Sequence, residues 1–499
     1  MASLSQNAMN RLTDYSITDE DSIVDIRTEL LDPIVSSNFR YQFRLDASSF
    51  LDKNTMLLFK MSQSSGNSQR LNVVNGAFGA LSAIEFQVGD FQVQRIEDVN
   101  LWATLNSLLR ETPAVQNKKL GHYLQNQAKY EVLQSNGAGD GQLTGAIQLD
   151  NTNSGINFGA TADGSGAGVN SMSIQADADN SVKVGIPLGM ILPLLRDREI
   201  PLFVFSQYKI HITFEFSNRP QDYVNDISKT NFAGGERMAA SAGDVAFHEV
   251  QLLVDYLVLP ARVNNSVLEQ TRQEGGYMLD FINPLNVKKR VDARTANTKQ
   301  RTEHRINVVN MECHYIQGFK QFEHASSFAQ NYYDKIFLGQ RCDGVSREAL
   351  QYNVNGVDIF TAGSITNPVE LYNNVSYTLD KDLQVVKPVF MNDPNTQASL
   401  LSPPELGLQG KFKPLCLDLR NGEPKVRGGG RFIGDYPIRV IYDATGHAAQ
   451  TTDWFSGTNV VCAPDDLMAA NATYFVGVSR VLNVKTQPNG NMSVVLSDM

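Results

Sequence analysis

A few short stretches of this chain have the residue types that chemistry uses. His248-Glu249 opens the H-E-x-x-H pattern, in which two histidines one helical turn apart hold zinc and the glutamate serves as base. Leu252 stands where the second histidine must be, and one histidine cannot hold a catalytic zinc. Gly410-Lys411 ends like a phosphate-cradling loop, but Phe412 replaces the magnesium-binding hydroxyl and Glu405 the first glycine. Asp177-Ala178-Asp179 resembles the start of a calcium loop, with Val182 at the position where the turn demands glycine. Gly428-Gly429-Gly430 follows Arg427 and precedes a strand, so it is no dinucleotide fingerprint. A glycosidase needs two carboxylates about 5–10 Å apart in a cleft. Glu215, Glu249 and Asp255 are the strand-borne candidates, and no spacing selects a pair among them. No catalytic, cofactor-binding or metal-ligating residue is assigned, no cofactor is expected, and the chain is read as not an enzyme.

The elements that would position such groups are strands. Ile84-Glu85-Phe86-Gln87-Val88 alternates apolar and polar residues, Gly89-Asp90 follows, and Phe91-Gln92-Val93 resumes the alternation. Leu350–Val354, Asn355-Gly356 and Val357–Ile359 repeat that arrangement. Two-residue turns of this chemistry match the twist of the flanking strands, so each copy is predicted to be a tight hairpin with one apolar face. Val88 should face Phe91, and Val354 should face Val357. A helical signal follows each hairpin, at Val99–Arg110 and around Pro368–Asn373. In the first, Trp102, Leu105, Leu108 and Leu109 form an apolar stripe that reads as core. Phe39–Leu45, Thr55–Met61, Gln207–Phe216, Val250–Leu259, Tyr277–Phe281, Glu303–Met311, Pro437–Tyr442, Tyr474–Val484 and Ser493–Leu496 read as strands. His211 falls on the polar face of its strand. The order of strand, hairpin, helix, long loop, strand and closing strand occurs twice, which implies an old duplication.

Residues 1–30 read as an arm. Thr18-Asp19-Glu20-Asp21 looks like a helix start, with Ile23, Ile26 and Leu30 at helical spacing and Pro33 as terminator. Residues 31–262 and 263–499 are then the two domains. Gly, Ala, Asn, Ser and Asp dominate residues 134–181, and residues 391–410 are rich in loop formers. All-β domains of ~200–250 residues fit a chain of 499 residues.

Composition narrows the functional classes. Net charge is −10, and Lys118-Lys119 and Lys288-Lys289-Arg290 are brief basic spots, so no specific nucleic-acid site is expected. Cys313, Cys342, Cys416 and Cys462 are widely spaced, with no CxxC pair, which argues against a disulfide framework and a structural zinc. The residues after Met1 lack a basic and apolar signal pattern. Val184–Leu195, the most apolar stretch, is broken by Pro187 and Pro193 and is too short to span a bilayer.

The pattern resembles the double jelly-roll major capsid proteins of tailless bacteriophages, adenoviruses, virophages and large DNA viruses, and most of all virophage or polinton-like virus capsid proteins. Phe39–Leu45 with Ser49-Phe50-Leu51-Asp52 looks like that family's opening strand pair, Ser82–Asp98 with the helix to Arg110 its hairpin and flanking helix, and Val184–Phe216 its approach to the penultimate strands. The resemblance implies an all-β chain of two tandem eight-stranded antiparallel jelly rolls with short flanking helices and long inserted loops, at 111–181 and 375–430. It implies homotrimers of pseudo-hexagonal outline that tile an icosahedral shell around double-stranded DNA, with neighbouring trimers, penton and minor capsid proteins as partners. It places the chain in the virion capsid, after assembly in the host cytoplasm or a viral factory.

Two other readings stay open. One is a β-sandwich binding module, such as a viral vertex or fibre protein or a glycan binder, which needs an exposed aromatic platform. Trp102 and Trp454 are the only tryptophans. The other is a carbohydrate hydrolase on a β-scaffold.

Overall fold

The computed structural model describes residues 25–37, 39–63, 69–71, 76–110, 181–196, 199–218, 224–231, 236–239, 245–261, 264–265, 268–269, 276–292, 299–322, 349–359, 417–419, 430–445, 470–486 and 492–498. These are nearly all strand. In the first half the principal strands are β1 (Asp25–Leu31), β2 (Arg40–Leu45), β3 (Met56–Gln63), β4 (Leu81–Val88), β5 (Phe91–Glu97), β6 (Ser181–Pro187), β7 (Ile210–Phe216) and β8 (Val245–Val258). In the second half they are β9 (Tyr277–Val291), β10 (Lys299–Ile306), β11 (Met311–Phe322), β12 (Ala349–Val354), β13 (Val357–Asp358), β14 (Leu417–Asp418), β15 (Ile438–Thr445) and β16 (Ala470–Thr486).

Both halves pair these strands in the same order. The first stacks a β1-β8-β3-β6 sheet on a β2-β7-β4-β5 sheet; the second stacks β9-β16-β11-β14 on β10-β15-β12-β13. All pairings are antiparallel. Every strand of the first half thus has its counterpart eight strands later: the repeat expected from the sequence is present, in the double jelly-roll form that the resemblance implied. Short strands widen the sheets: Val35–Ser37 joins β2, Phe50–Leu51 joins β8, and Met492–Asp498 joins β16.

Alternation explains the faces. In β7, Ile210, Ile212, Phe214 and Phe216 are buried, and the opposite row carries His211 and Glu215. The strand begins only at Ile210; Tyr208 precedes it and packs over Gly89, whose φ of +59° suits the hairpin turn. Val88 does face Phe91, and Val354 faces Val357. The helix α1 covers Val99–Arg110 as predicted, with Trp102 and Leu105 buried.

Two expectations are corrected. Ile26 and Leu30 lie on a strand, not a helix: β1 pairs residue for residue with β8, from Asp25 opposite Val258 to Leu31 opposite Leu252. The opening strand is therefore Asp25–Leu31, taken from the end of the stretch read as an arm. Glu303–Met311 is not one strand but the end of β10, a turn and the start of β11. Asn310 at φ +56° makes that reversal. The helical signals near Thr18 and Pro368, and most of the 111–181 and 375–430 insertions, lie outside the described residues.

The two cores meet on one ribbon. β9 and β16 pair over fifteen residues, Tyr277 opposite Val484 through Val291 opposite Ala470. The odd-numbered side chains of β9 share a face. At one end Tyr277, Leu279 and Phe281 belong to the first half's core; at the other, Leu285, Val287 and Val291 pack on the second core. Asn283 stands at the crossing, buried.

Candidate functional site

The residues that sequence singled out for chemistry are not brought together. Glu215 lies on β7, in one sheet of the first half, whereas Glu249 and Asp255 lie on β8, in the other. Each is engaged locally. Arg95 donates to both carboxylate oxygens of Glu215, at 3.2 and 3.1 Å, and also reaches Glu85 at 3.2 Å. Lys60 pairs with Glu249 at 2.6 Å, and the Thr28 hydroxyl donates to Asp255 at 2.6 Å. His248 and Glu249 sit at an irregularity of the β8–β3 register, with Glu249 at φ +47°, so the protease pattern falls on a bulged strand. Among the described residues, no three His, Cys, Asp or Glu side chains gather to hold a metal ion.

His211 projects from β7 between Arg44 on β2 and Gln87 on β4. Partial burial, then the charges of Arg44 and Lys209, hold its pKa below the usual histidine value. Cys313 is buried, and burial followed by Glu312 pushes its thiol up to about 12, so it is inert as a nucleophile. Trp102 is core, not platform. Trp454, Cys342, Cys416, Cys462, Lys118-Lys119, Asp177–Asp179 and Gly410-Lys411 lie outside the described residues. No described helix is long and apolar enough to cross a membrane.

What the fold does present is a pair of matching sides, one covered and one bare. On the far side of the first sandwich, β5 and the turn Pro193–Leu195 receive β9. Gln94 Nε2 donates to Asn283 Oδ1 at 3.2 Å, and the Leu194 N–H donates to Gln94 Oε1 at 3.1 Å, all buried. Asp98 accepts from Asn286 and pairs with Lys288 at 2.6 Å, at the rim of the same junction. Phe205 meets Tyr277 edge to face at 6.4 Å between ring centroids.

β1 is the topological counterpart of β9, yet none of its residues is buried. Ile26 is 61% exposed and Leu30 52%, and Ile34, Val35 and Phe39 in the segment that follows are exposed as well. The strand is held by its ladder and by polar contacts. Arg27 reaches Asp46 at 2.7 Å and Glu29 at 3.1 Å and lies 5.1 Å over the Tyr256 ring. Burial pushes the Tyr256 phenol up to about 12, and its oxygen accepts from the Asp46 N–H at 2.9 Å. Burial alone would raise the Asp46 pKa, but hydrogen bonds from Ser48 and Arg27 outweigh it and hold the carboxyl below its usual range. Sequence reasoning missed this side, because its apolar residues face outward.

No protein-family model matches the chain, and no curated protein matches its sequence. Solved structures match its fold. VP54 of PBCV-1, as fitted into a reconstruction of the virophage Sputnik, aligns with a TM-score of 0.58 at 10% identity, covering 97% of this chain and 100% of that one. The Sputnik virophage structure aligns at 0.52 with 12% identity, covering 97% and 91%. The mavirus major capsid protein aligns at 0.50 with 11% identity, covering 97% and 93%. The fold is that of the double jelly-roll capsid proteins. Those of virophages are among the structures it matches, over nearly the whole of both chains.

Proposed function

We propose that this chain is a viral major capsid protein, a structural subunit and not an enzyme, whose copies join into homotrimers that tile an icosahedral shell around double-stranded DNA. One observation carries the trimer: the same topological strand is covered in one half and bare in the other. Within a chain, β9 of the second sandwich docks on the β5 side of the first. The exposed β1 side of the first sandwich and the β13–β14 side of the second would be the two partners of that contact between chains. Repeated between chains, the contact runs head to tail. Such heterologous contacts close into a ring when the rotation allows, and three chains give six sandwiches. The exposed Ile26 and Leu30 of β1 supply apolar area of the kind a permanent interface needs.

In this reading the two jelly rolls divide near 262/263, and residues before Asp25 form the arm. The insertions 111–181 and 375–430 project outward. Penton and minor capsid proteins complete the shell. The protein resides in the virion after assembly in the host cytoplasm or a viral factory. The test is the mass and outline of the purified protein, by light scattering and negative-stain microscopy. Trimers of nearly hexagonal outline are expected; monomers at every concentration would overturn the proposal.

A further inference from the structure

At one end of the second sandwich three connections are tied into a single surface. A jelly-roll chain reverses at every strand, so the β10–β11, β12–β13 and β14–β15 connections leave from one end, and the long β13–β14 connection leaves from the other. Asn355 and Gly356, at φ +52° and +80°, make the tight turn between β12 and β13. The Asn355 side chain then bridges to the third connection. Its Nδ2 donates to the Phe432 carbonyl at 3.0 Å, and its Oδ1 accepts from the Gly434 N–H at 3.1 Å. The Asn310 N–H donates to the Ile433 carbonyl at 2.7 Å, which ties in the first connection.

Each tied connection offers large apolar side chains to solvent: Val309, Val357 at 59% exposure, Phe432 at 56% and Tyr436 at 67%. Scattered exposed apolar residues need no explanation, but aromatic ones clustered on a preorganised surface mark contact sites. The border is acidic. Glu312 stands directly across from Phe432 in the ladder, and the exposed Asp435 precedes Tyr436. Arg431 projects from the opposite face of the Phe432 strand. Among the described residues neither Glu312 nor Asp435 forms an ion pair.

We propose that Val309, Val357, Phe432 and Tyr436 form a docking surface for a basic, apolar-anchored polypeptide segment of another protein. The aromatic pair receives the anchors, and Glu312 and Asp435 meet flanking lysines or arginines. The acidic border disfavours an anionic membrane as the occupant. The rigid ties mean that little ordering opposes binding. This surface borders the β13–β14 side, so the inference rests on the proposed trimer leaving that end open, and the mass of each variant is measured alongside its binding.

The experiment titrates a fluorescently labelled amphipathic peptide of leucines and lysines into the purified full-length protein. Its counterpart with glutamate for lysine is run alongside, together with phosphatidylcholine vesicles with and without phosphatidylserine. Phe432→Ala/Tyr436→Ala should weaken binding of the lysine peptide about tenfold or more. Val357→Glu, an exposed change that leaves the fold intact, should do the same. Glu312→Gln/Asp435→Asn should weaken it at low salt and flatten its salt dependence. The glutamate peptide should bind far more weakly. Lysine-peptide binding indifferent to all three variants, or equal binding of the glutamate peptide, overturns the inference. So does Phe432-dependent binding to vesicles without peptide binding, which would make the surface a lipid contact. Mass measured for each variant separates these outcomes from a failure to form trimers.

Discussion

Gln94 and Asn283 lie 189 residues apart in sequence and share a buried hydrogen bond at the place where the two sandwiches join. Gln94 uses both ends of its amide, since its oxygen also accepts from the Leu194 N–H. Gln94→Ala therefore strands two partners, and each unsatisfied buried group costs about 1–3 kcal/mol. Asn283→Ala strands only one. Urea denaturation should rank Gln94→Ala as the more damaging change, and the double variant should cost less than the sum of the singles.

Cutting the chain at 262/263 should not yield two independent domains. Tyr277, Leu279, Phe281, Leu482 and Val484 belong to the first half's core. Residues 1–262 alone would expose the surface those side chains cover. Expressed alone, this fragment should bind a hydrophobic dye and aggregate; coexpressed with 263–499, it should be recovered as a soluble complex. A soluble, cooperatively melting 1–262 fragment would count against the shared core.

Replacing Ile26 and Leu30 with lysine should abolish the trimer while leaving the monomer folded. Both side chains are exposed in the single chain, so their loss removes little from its own core. Burying an aliphatic side chain at an interface contributes about 1.5–3 kcal/mol, and two lysines there would also bury charge. Analytical ultracentrifugation and circular dichroism would read the two effects separately. Intact trimers of the double variant would place the interface elsewhere.

The Asp46 contacts predict an acid limb. The folded-state pKa of this carboxyl is depressed, so it releases its proton more readily folded than unfolded. Its contribution is fully present above the unfolded value of about 3.9 and fades as pH falls through the lower folded value. Melting temperature should decline over that acid range in the wild type. In Asp46→Asn it should be lower at neutral pH and flatter below pH 4. Solvent screening at this half-exposed site keeps the effect small.

Legibility followed the physics of each element. The hairpins at Gly89-Asp90 and Asn355-Gly356 were readable because strict alternation and turn chemistry agree, and α1 because its apolar stripe must face a core. β1 was not readable. Its half-covered row, Arg27, Glu29 and Leu31, is mostly charged, and its exposed row carries Ile26 and Leu30. The usual rule of apolar inside is inverted on a strand whose apolar side is left bare, and Ile26 and Leu30, four apart, then fit a helix. The β10–β11 reversal was hidden because Asn310 turns the chain without glycine or proline. The junction was hidden for a different reason. Gln94 and Asn283 are ordinary polar residues in strands, and only the fold brings them together. The separation of the candidate carboxylates was not legible either, because strand pairing, which alternation does not reveal, puts Glu215 in a different sheet from Glu249 and Asp255.

The β9–β16 ribbon also works as a beam. Its fifteen paired residues floor both cores, so a pull that separates the two sandwiches along the strands is taken in shear. Many ladder bonds then resist at once, instead of opening one after another as in peeling.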